Sequence, residues 1–214
     1  MTFRQGSRVL LVIGNKNYSS WSLRPWIALK VLGVPFEEER IALYGPGSKE
    51  AILRFSPAGK VPVLVDDGTT VWDSAAILEY LAEKHGRLWP ADAPERARAR
   101  SICAEMHSGF PNLRSHMSMN VRKRYPGKGR TPQVLQEIQR IDEIWSQATG
   151  PFLFGPFGAA DAMYAPVVLR FRTYGVTVSN RAYYDSMLAL PAMQEWIAAA
   201  EREAESVAQF DMYE

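Results

Sequence analysis

The sequence predicts two domains of different class, an α/β domain over residues 1–86 and an all-helical domain over residues 95–214. Three observations predict this. Short apolar runs alternate with helical periods only in the first part of the chain. A proline-bearing stretch from Leu88 to Pro94, with Pro90, Pro94 and aspartate-containing turns, then interrupts the pattern and reads as a linker. Past it, apolar residues recur only at helical spacing.

The elements follow in order. Val9 to Ile13 is an unbroken apolar run and reads as a buried strand. A helix is predicted from Ser22 to Leu32, with Leu23, Trp26, Ile27 and Val31 on one face, Gly33 as its stop and Ser22 as its N-cap. Phe36 to Leu43 alternates only loosely, which suits a sheet edge. Pro46, Gly47 and Ser48 turn the chain into a short helix ending near Phe55. Val61 to Val65 and Thr70 to Trp72 read as hairpin strands around Asp66-Asp67-Gly68-Thr69. Asp73 caps a helix running to Lys84, with Ala76, Ile77, Tyr80 and Leu81 on one face. The order is therefore βαβαββα. Beyond the linker, helices are predicted over 95–117, bent near Pro111, and over 131–148, 160–174 and 191–203.

Composition narrows the function classes. With 214 residues, 47% of them hydrophobic, the chain can build the cores of two domains. A net charge of only +2 argues against a nucleic-acid binder. No apolar run approaches the roughly 20 residues that span a bilayer, and the stretch from Val9 to Ile13 is too short for a secretory signal. One cysteine, Cys103, excludes an internal disulfide and fits a reducing, cytoplasmic setting. Cys103 keeps helical register with Met106, Phe110 and Leu113, so a buried apolar role is expected. His107 and His116 lack metal-ligand spacing, and no metal is expected. Arg122, Lys123 and Arg124, with Lys128 and Arg130, read as a solvated basic loop.

Three motifs carry the chemistry. The first strand empties into Asn17-Tyr18-Ser19-Ser20-Trp21-Ser22-Leu23-Arg24, a hydroxyl-rich loop at a helix amino end. Open α/β sheets bind ligands at such junctions, and the unpaired amides favour an anion. A hydroxyl donating to sulfur there lowers a thiol's pKa and makes it nucleophilic at neutral pH. Next comes Ser56-Pro57-Ala58-Gly59-Lys60-Val61-Pro62-Val63-Leu64. A proline opening a strand is a candidate for a cis bond, which turns the preceding backbone outward to pair with an extended peptide. The third is Asp73-Ser74-Ala75-Ala76-Ile77, where a carboxylate, a hydroxyl and helix amides together suit a zwitterionic amino acid end.

In this order and spacing the three motifs resemble those of glutathione transferases, a thioredoxin-like domain followed by an all-helical one. The likeness is to the serine-type classes, similar to theta and zeta. Theta-like spacing from Arg24 selects Ser20 as the catalytic serine and zeta-like spacing selects Ser19; Ser20 is preferred. Trp21 stands where zeta-, beta- and omega-like members carry cysteine, which argues against mixed-disulfide chemistry and weakens the case for a maleylacetoacetate isomerase. The helical domain departs from the family's Ser/Thr-x-x-Asp cap, because Gly158 precedes Asp161.

The resemblance implies a cytoplasmic, dimeric glutathione transferase serving detoxification, with glutathione as co-substrate and no metal, nucleic acid or membrane partner. Lys60 would pair with the glycyl carboxylate, and Val61 and Pro62 would hold the cysteinyl backbone. Asp73 and Ser74 would receive the γ-glutamyl end. Trp21, His107, Phe110 and Arg114 would shape the pocket for a small electrophile. The alternatives are isomerisation, dehalogenation or ether cleavage by the same thiolate, and a glutathione- or ligand-binding protein without turnover.

Overall fold

The computed structural model describes residues 9–213; the first eight residues of the expected amino-terminal domain and Glu214 lie outside it. The described chain runs β1 (Val9–Ile13), α1 (Ser20–Leu32), β2 (Glu37–Arg40), α2 (Ser48–Leu53), β3 (Val63–Asp66), β4 (Thr69–Trp72) and α3 (Ser74–His85). It then continues as α4 (Ala93–Ser108), α5 (Pro111–His116), α6 (Pro132–Trp145), α7 (Ala159–Tyr174), α8 (Arg181–Ala189) and α9 (Pro191–Glu201). The sheet order is β2-β1-β3-β4, with β1 and β2 parallel and the other pairs antiparallel.

Strand β1 explains its own sequence. Val9, Leu11 and Ile13 enter the large core shared with the helices, while Val12 packs with Ile41, Ile52 and Val63 in a smaller cluster on the opposite face. Both faces are covered, so the strand is apolar throughout. Strand β2 is an exposed edge made of Glu37, Glu38, Glu39 and Arg40, and its charges discourage pairing with another chain.

Helix α1 is buried along nearly its whole length, between the sheet and α7. It begins two residues earlier than the sequence predicts. Ser22 is not its N-cap: Ser19 holds that position and makes no capping bond with its side chain. The Ser22 hydroxyl instead accepts from the Gly14 amide at 3.1 Å and lies 2.7 Å from the Ser19 hydroxyl.

The single long helix expected over 95–117 is two helices. Pro111 offers no amide and biases its predecessor out of helical conformation. Accordingly Phe110 is left-handed (φ 57°) and α5 leaves the axis of α4. Arg114 braces this corner by donating to the Gly109 carbonyl at 3.0 Å and to the Met106 carbonyl. Helix α8 was not foreseen. It is short, with Asn180 capping it through the Tyr183 amide at 3.0 Å.

Glycine at the cap of α7 has a steric reason. A Cβ on Gly158 would sit 2.7 Å from the Leu88 carbonyl oxygen, and the Ala159 amide donates to that same oxygen at 2.9 Å. The linker therefore lies directly on the helix start and takes its first amide, while the Asp161 carboxylate accepts from the Gly158 amide at 2.8 Å and the Leu153 amide at 3.0 Å.

After α9 the chain turns back across both domains. The Glu203 carboxylate accepts from the Lys16 and Asn17 amides at 2.7 and 2.9 Å. The Asp211 carboxylate accepts from the Tyr18 hydroxyl at 3.0 Å, from Asn120 at 2.7 Å and from Ser206. Burial pushes the Asp211 carboxyl up, and these bonds outweigh it, holding the group below the ordinary range. Arg122 belongs to this clasp rather than to a solvated loop: it donates to the Glu203 and Glu205 carbonyls and to Tyr18.

Candidate active site

A cleft of about 860 Å³ opens where the β1–α1 loop, the segment before β3 and the start of α3 meet the helical domain. Its first wall comes from short polar groups and backbone. Ser19 and Ser20 line it from the start of α1, and Val61 and Pro62 from the entry to β3. The Val61–Pro62 bond is cis. Asp73 and Ser74 line it from the start of α3, with Lys60 exposed at the rim.

Asp73 is in an unusual backbone conformation for a residue with a side chain (φ 73°, ψ 133°) while its carboxylate caps α3 through the Ala75 amide at 2.8 Å. Strain of this kind persists where the surroundings hold it and concentrates at functional sites. Ser74 is fully buried, and its hydroxyl accepts from Arg24 at 3.2 Å.

The facing wall comes from the helical domain and the returning tail: Arg114 of α5, Ser118 and Met119 beyond it, Arg170 of α7, and Phe210. Trp21 also lines the cleft, with two guanidinium groups close to its ring, Arg24 at 4.2 Å and Arg114 at 5.0 Å from the centroid. Phe210 stacks on Tyr18 at 5.5 Å and meets the exposed Tyr44 edge-on at 5.4 Å, which narrows the mouth.

The electrostatics are one-sided. Arg24 and Arg170 are 1% and 6% exposed, and neither forms an ion pair with a carboxylate among the described residues. Burial, reinforced by the charge of Arg114, brings each down to about 9. Burial lowers Arg114 as well. Clustered guanidinium groups that no described carboxylate pairs with directly, Asp73 acting on Arg24 only from a distance, make the cleft receptive to an anion.

Of the residues singled out from sequence, Ser19, Ser20, Trp21, Lys60, Val61, Pro62, Asp73, Ser74 and Arg114 share this cleft. His107 and Phe110 are outside its lining. His107 lines a separate cavity of about 310 Å³ between α3 and α4, its Nε2 3.4 Å from Asp73 and its ring edge-on to Trp21 at 5.3 Å. The Phe110 ring turns into the core at the α4–α5 corner. Cys103 is buried beside the same small cavity, and burial pushes its thiol up, so it is no nucleophile. No cluster of metal-ligating side chains occurs among the described residues, and no described helix is long and apolar enough to cross a membrane.

Sequence reasoning missed Arg170 and Phe210. A lone arginine in the apolar run Tyr164-Ala165-Pro166-Val167-Val168-Leu169-Arg170-Phe171 was the available signal for the first. None marked Phe210, which reaches the cleft only because the tail returns.

Comparisons with known proteins give the family and the fold. Residues 18–84 match the glutathione S-transferase N-terminal domain model and residues 128–199 the C-terminal domain model. The chain is 29% identical to the maleylacetoacetate isomerase of Rattus norvegicus over 208 residues, 89% of this chain and 92% of that protein. It is 29% identical to the probable maleylacetoacetate isomerase of Caenorhabditis elegans over 168 residues, 75% and 78% of the two. A glutathione transferase homolog from Burkholderia gl BGR1, solved with bound glutathione, aligns with a TM-score of 0.69 at 23% identity, covering 92% of this chain and 100% of that one. With both its α/β and its helical domain matched by models of one family, the chain belongs to the glutathione S-transferase family.

Proposed function

We propose that this chain is a glutathione transferase in which Ser20 stabilises the thiolate of bound glutathione for attack on a small electrophile. The observation that carries the reading is the convergence of Ser20, Val61, Pro62, Asp73 and Ser74 on one cleft, from three segments far apart in sequence. The Val61 backbone suits an extended peptide, and the start of α3, with Asp73 and Ser74, suits the amino and carboxyl groups of a γ-glutamyl end. The thiol proton leaves to solvent. The Ser20 hydroxyl then donates to the sulfur anion, which attacks the electrophilic carbon as the leaving group departs with its electron pair. Stabilisation of the anion and positioning supply the rate, without a covalent intermediate on the enzyme.

Two relatives named as maleylacetoacetate isomerases favour a second reading for the same thiolate. Addition to a double bond, rotation about the resulting single bond and expulsion of the thiolate would isomerise a maleyl-type substrate without consuming glutathione. A carboxylate-bearing substrate suits the cationic wall. On its family membership we also read the protein as cytoplasmic and as a homodimer, the second of which sedimentation of the purified protein tests.

The test is steady-state turnover with a panel of electrophiles and a maleyl-type double bond, comparing the wild type with Ser20→Ala and Ser19→Ala. Ser20→Ala is expected to lower kcat/KM about 100-fold, the usual loss for one donor to a reacting anion. Equal turnover in Ser20→Ala and wild type would overturn the assignment. Glutathione binding with no turnover of any substrate would leave a sequestering protein.

A further inference from the structure

We propose that Arg170 is a positioning residue of this site, holding the Ser20 hydroxyl so that its proton points to the glutathione sulfur. The proposal rests on the reading of Ser20 given above. A serine hydroxyl has one proton to donate and two lone pairs that accept, whereas a guanidinium only donates. The Arg170 Nη2 lies 3.3 Å from Ser20 Oγ, and this is the one side-chain hydrogen bond of that oxygen among the described residues. Accepting from a group that accepts nothing in return leaves the Ser20 proton free for a ligand. The neighbouring Ser19 differs, because its hydroxyl is joined to that of Ser22 at 2.7 Å.

The placement of Arg170 favours this role over surface electrostatics. The side chain is 6% exposed, projects from the carboxyl-terminal part of buried α7, and has its other terminal nitrogen fixed on the Met117 carbonyl. The ionisable neighbours that bear on it are Arg114 and Arg24, which both repel it, and Tyr174. With no carboxylate to pair with among the described residues, the guanidinium is held by its two acceptors, the Met117 carbonyl and the Ser20 hydroxyl.

The test is the ultraviolet thiolate absorbance of saturating glutathione on the full-length protein as a function of pH. Arg170→Met removes the buried charge at similar volume, a replacement that folds commonly tolerate, and Arg170→Lys keeps the charge without the fork. Thermal unfolding of each variant reports folding separately. Arg170→Met is expected to raise the bound thiol pKa by about one unit, a tenfold loss of thiolate below that pKa, and Arg170→Lys to raise it by less. The double variant with Ser20→Ala is expected to titrate like Ser20→Ala alone, because the arginine acts through that oxygen. A wild-type thiol pKa in Arg170→Met, or shifts that add in the double variant, would overturn the proposal while leaving Ser20 in its role. If Ser20→Ala alone leaves the thiol pKa unchanged, the reading of Ser20 fails, and the proposal with it. A purely structural Arg170 would lower the melting temperature and leave the titration where it was.

Discussion

Helices α1 and α7 are alike in most respects. Both are buried along their length, each contains a proline (Pro25 and Pro166), and each carries a buried arginine directed at a serine of the cleft. They differ at their amino ends. The cap of α7 is saturated, with Asp161 receiving both the Gly158 and Leu153 amides and the linker pressed onto the first turn. The cap residue of α1, Ser19, makes no side-chain capping bond, and its helix start lines the cleft. One helix end is committed to folding, the other is left for a ligand. Helix α1 thus serves the site through its end, and α7 through its side, by way of Arg170.

The contrast predicts which substitutions harm stability and which harm chemistry. Asp161→Ala should be the most damaging to the fold. It strands the buried Leu153 amide and the half-buried Gly158 amide and removes a cap, a loss of about 3 kcal/mol, read as the shift of a denaturant midpoint. The bound thiol pKa should not move in this variant, and a change there would break the division of labour between the two helix ends.

Asp161 also makes a prediction about pH. Burial raises its carboxyl from 3.8 to about 6, with the two amides pulling the other way. The folded state therefore holds the proton more tightly than the unfolded chain. Its contribution is fully present below about pH 4 and is lost as pH rises through about 6, a span of roughly 2 to 3 kcal/mol. The stability difference between wild type and Asp161→Asn should fall across that window in denaturant titrations. A flat difference would mean that the carboxyl titrates normally.

Gly158→Ser sharpens the comparison further. On propensity alone, a hydroxyl cap should gain a few tenths of a kcal/mol over glycine. With the Leu88 carbonyl 2.7 Å from the position of the new Cβ, a loss of about 1 to 2 kcal/mol is expected instead, measurable as a lowered melting temperature. The smallest effect on the fold should come from Ser20→Ala, under about 1 kcal/mol, beside its large effect on turnover.

How much was legible in the sequence follows the same line. The order of elements along the chain, the cis Val61–Pro62 bond, the Asp73 cap and the hydroxyl-rich loop were legible because each rests on neighbours within a few residues. The helix start was misplaced by two residues, since Ser22 has a cap's composition but is spoken for by Gly14. The long helix over 95–117 was expected to bend at Pro111 and in fact breaks there, because Phe110 adopts a left-handed backbone that periodicity does not register. His107 meets the cleft residues Asp73 and Trp21 from behind and lines the neighbouring cavity instead, while Phe110 turns into the core at the α4–α5 corner.

The sequence by itself determined the two-domain architecture, the family and the first wall of the cleft. Local turn chemistry, capping and strand patterning act over short stretches of chain and leave a readable mark. Tertiary structure decided the second wall. Arg170 and Phe210 lie 150 and 190 residues from Ser20 in the chain, and they reach it only because α7 packs against α1 and the tail is drawn back by Tyr18, Asn120 and Arg122. Burial and long-range hydrogen bonding set which lone arginine faces a ligand, and neither is a property of any short segment.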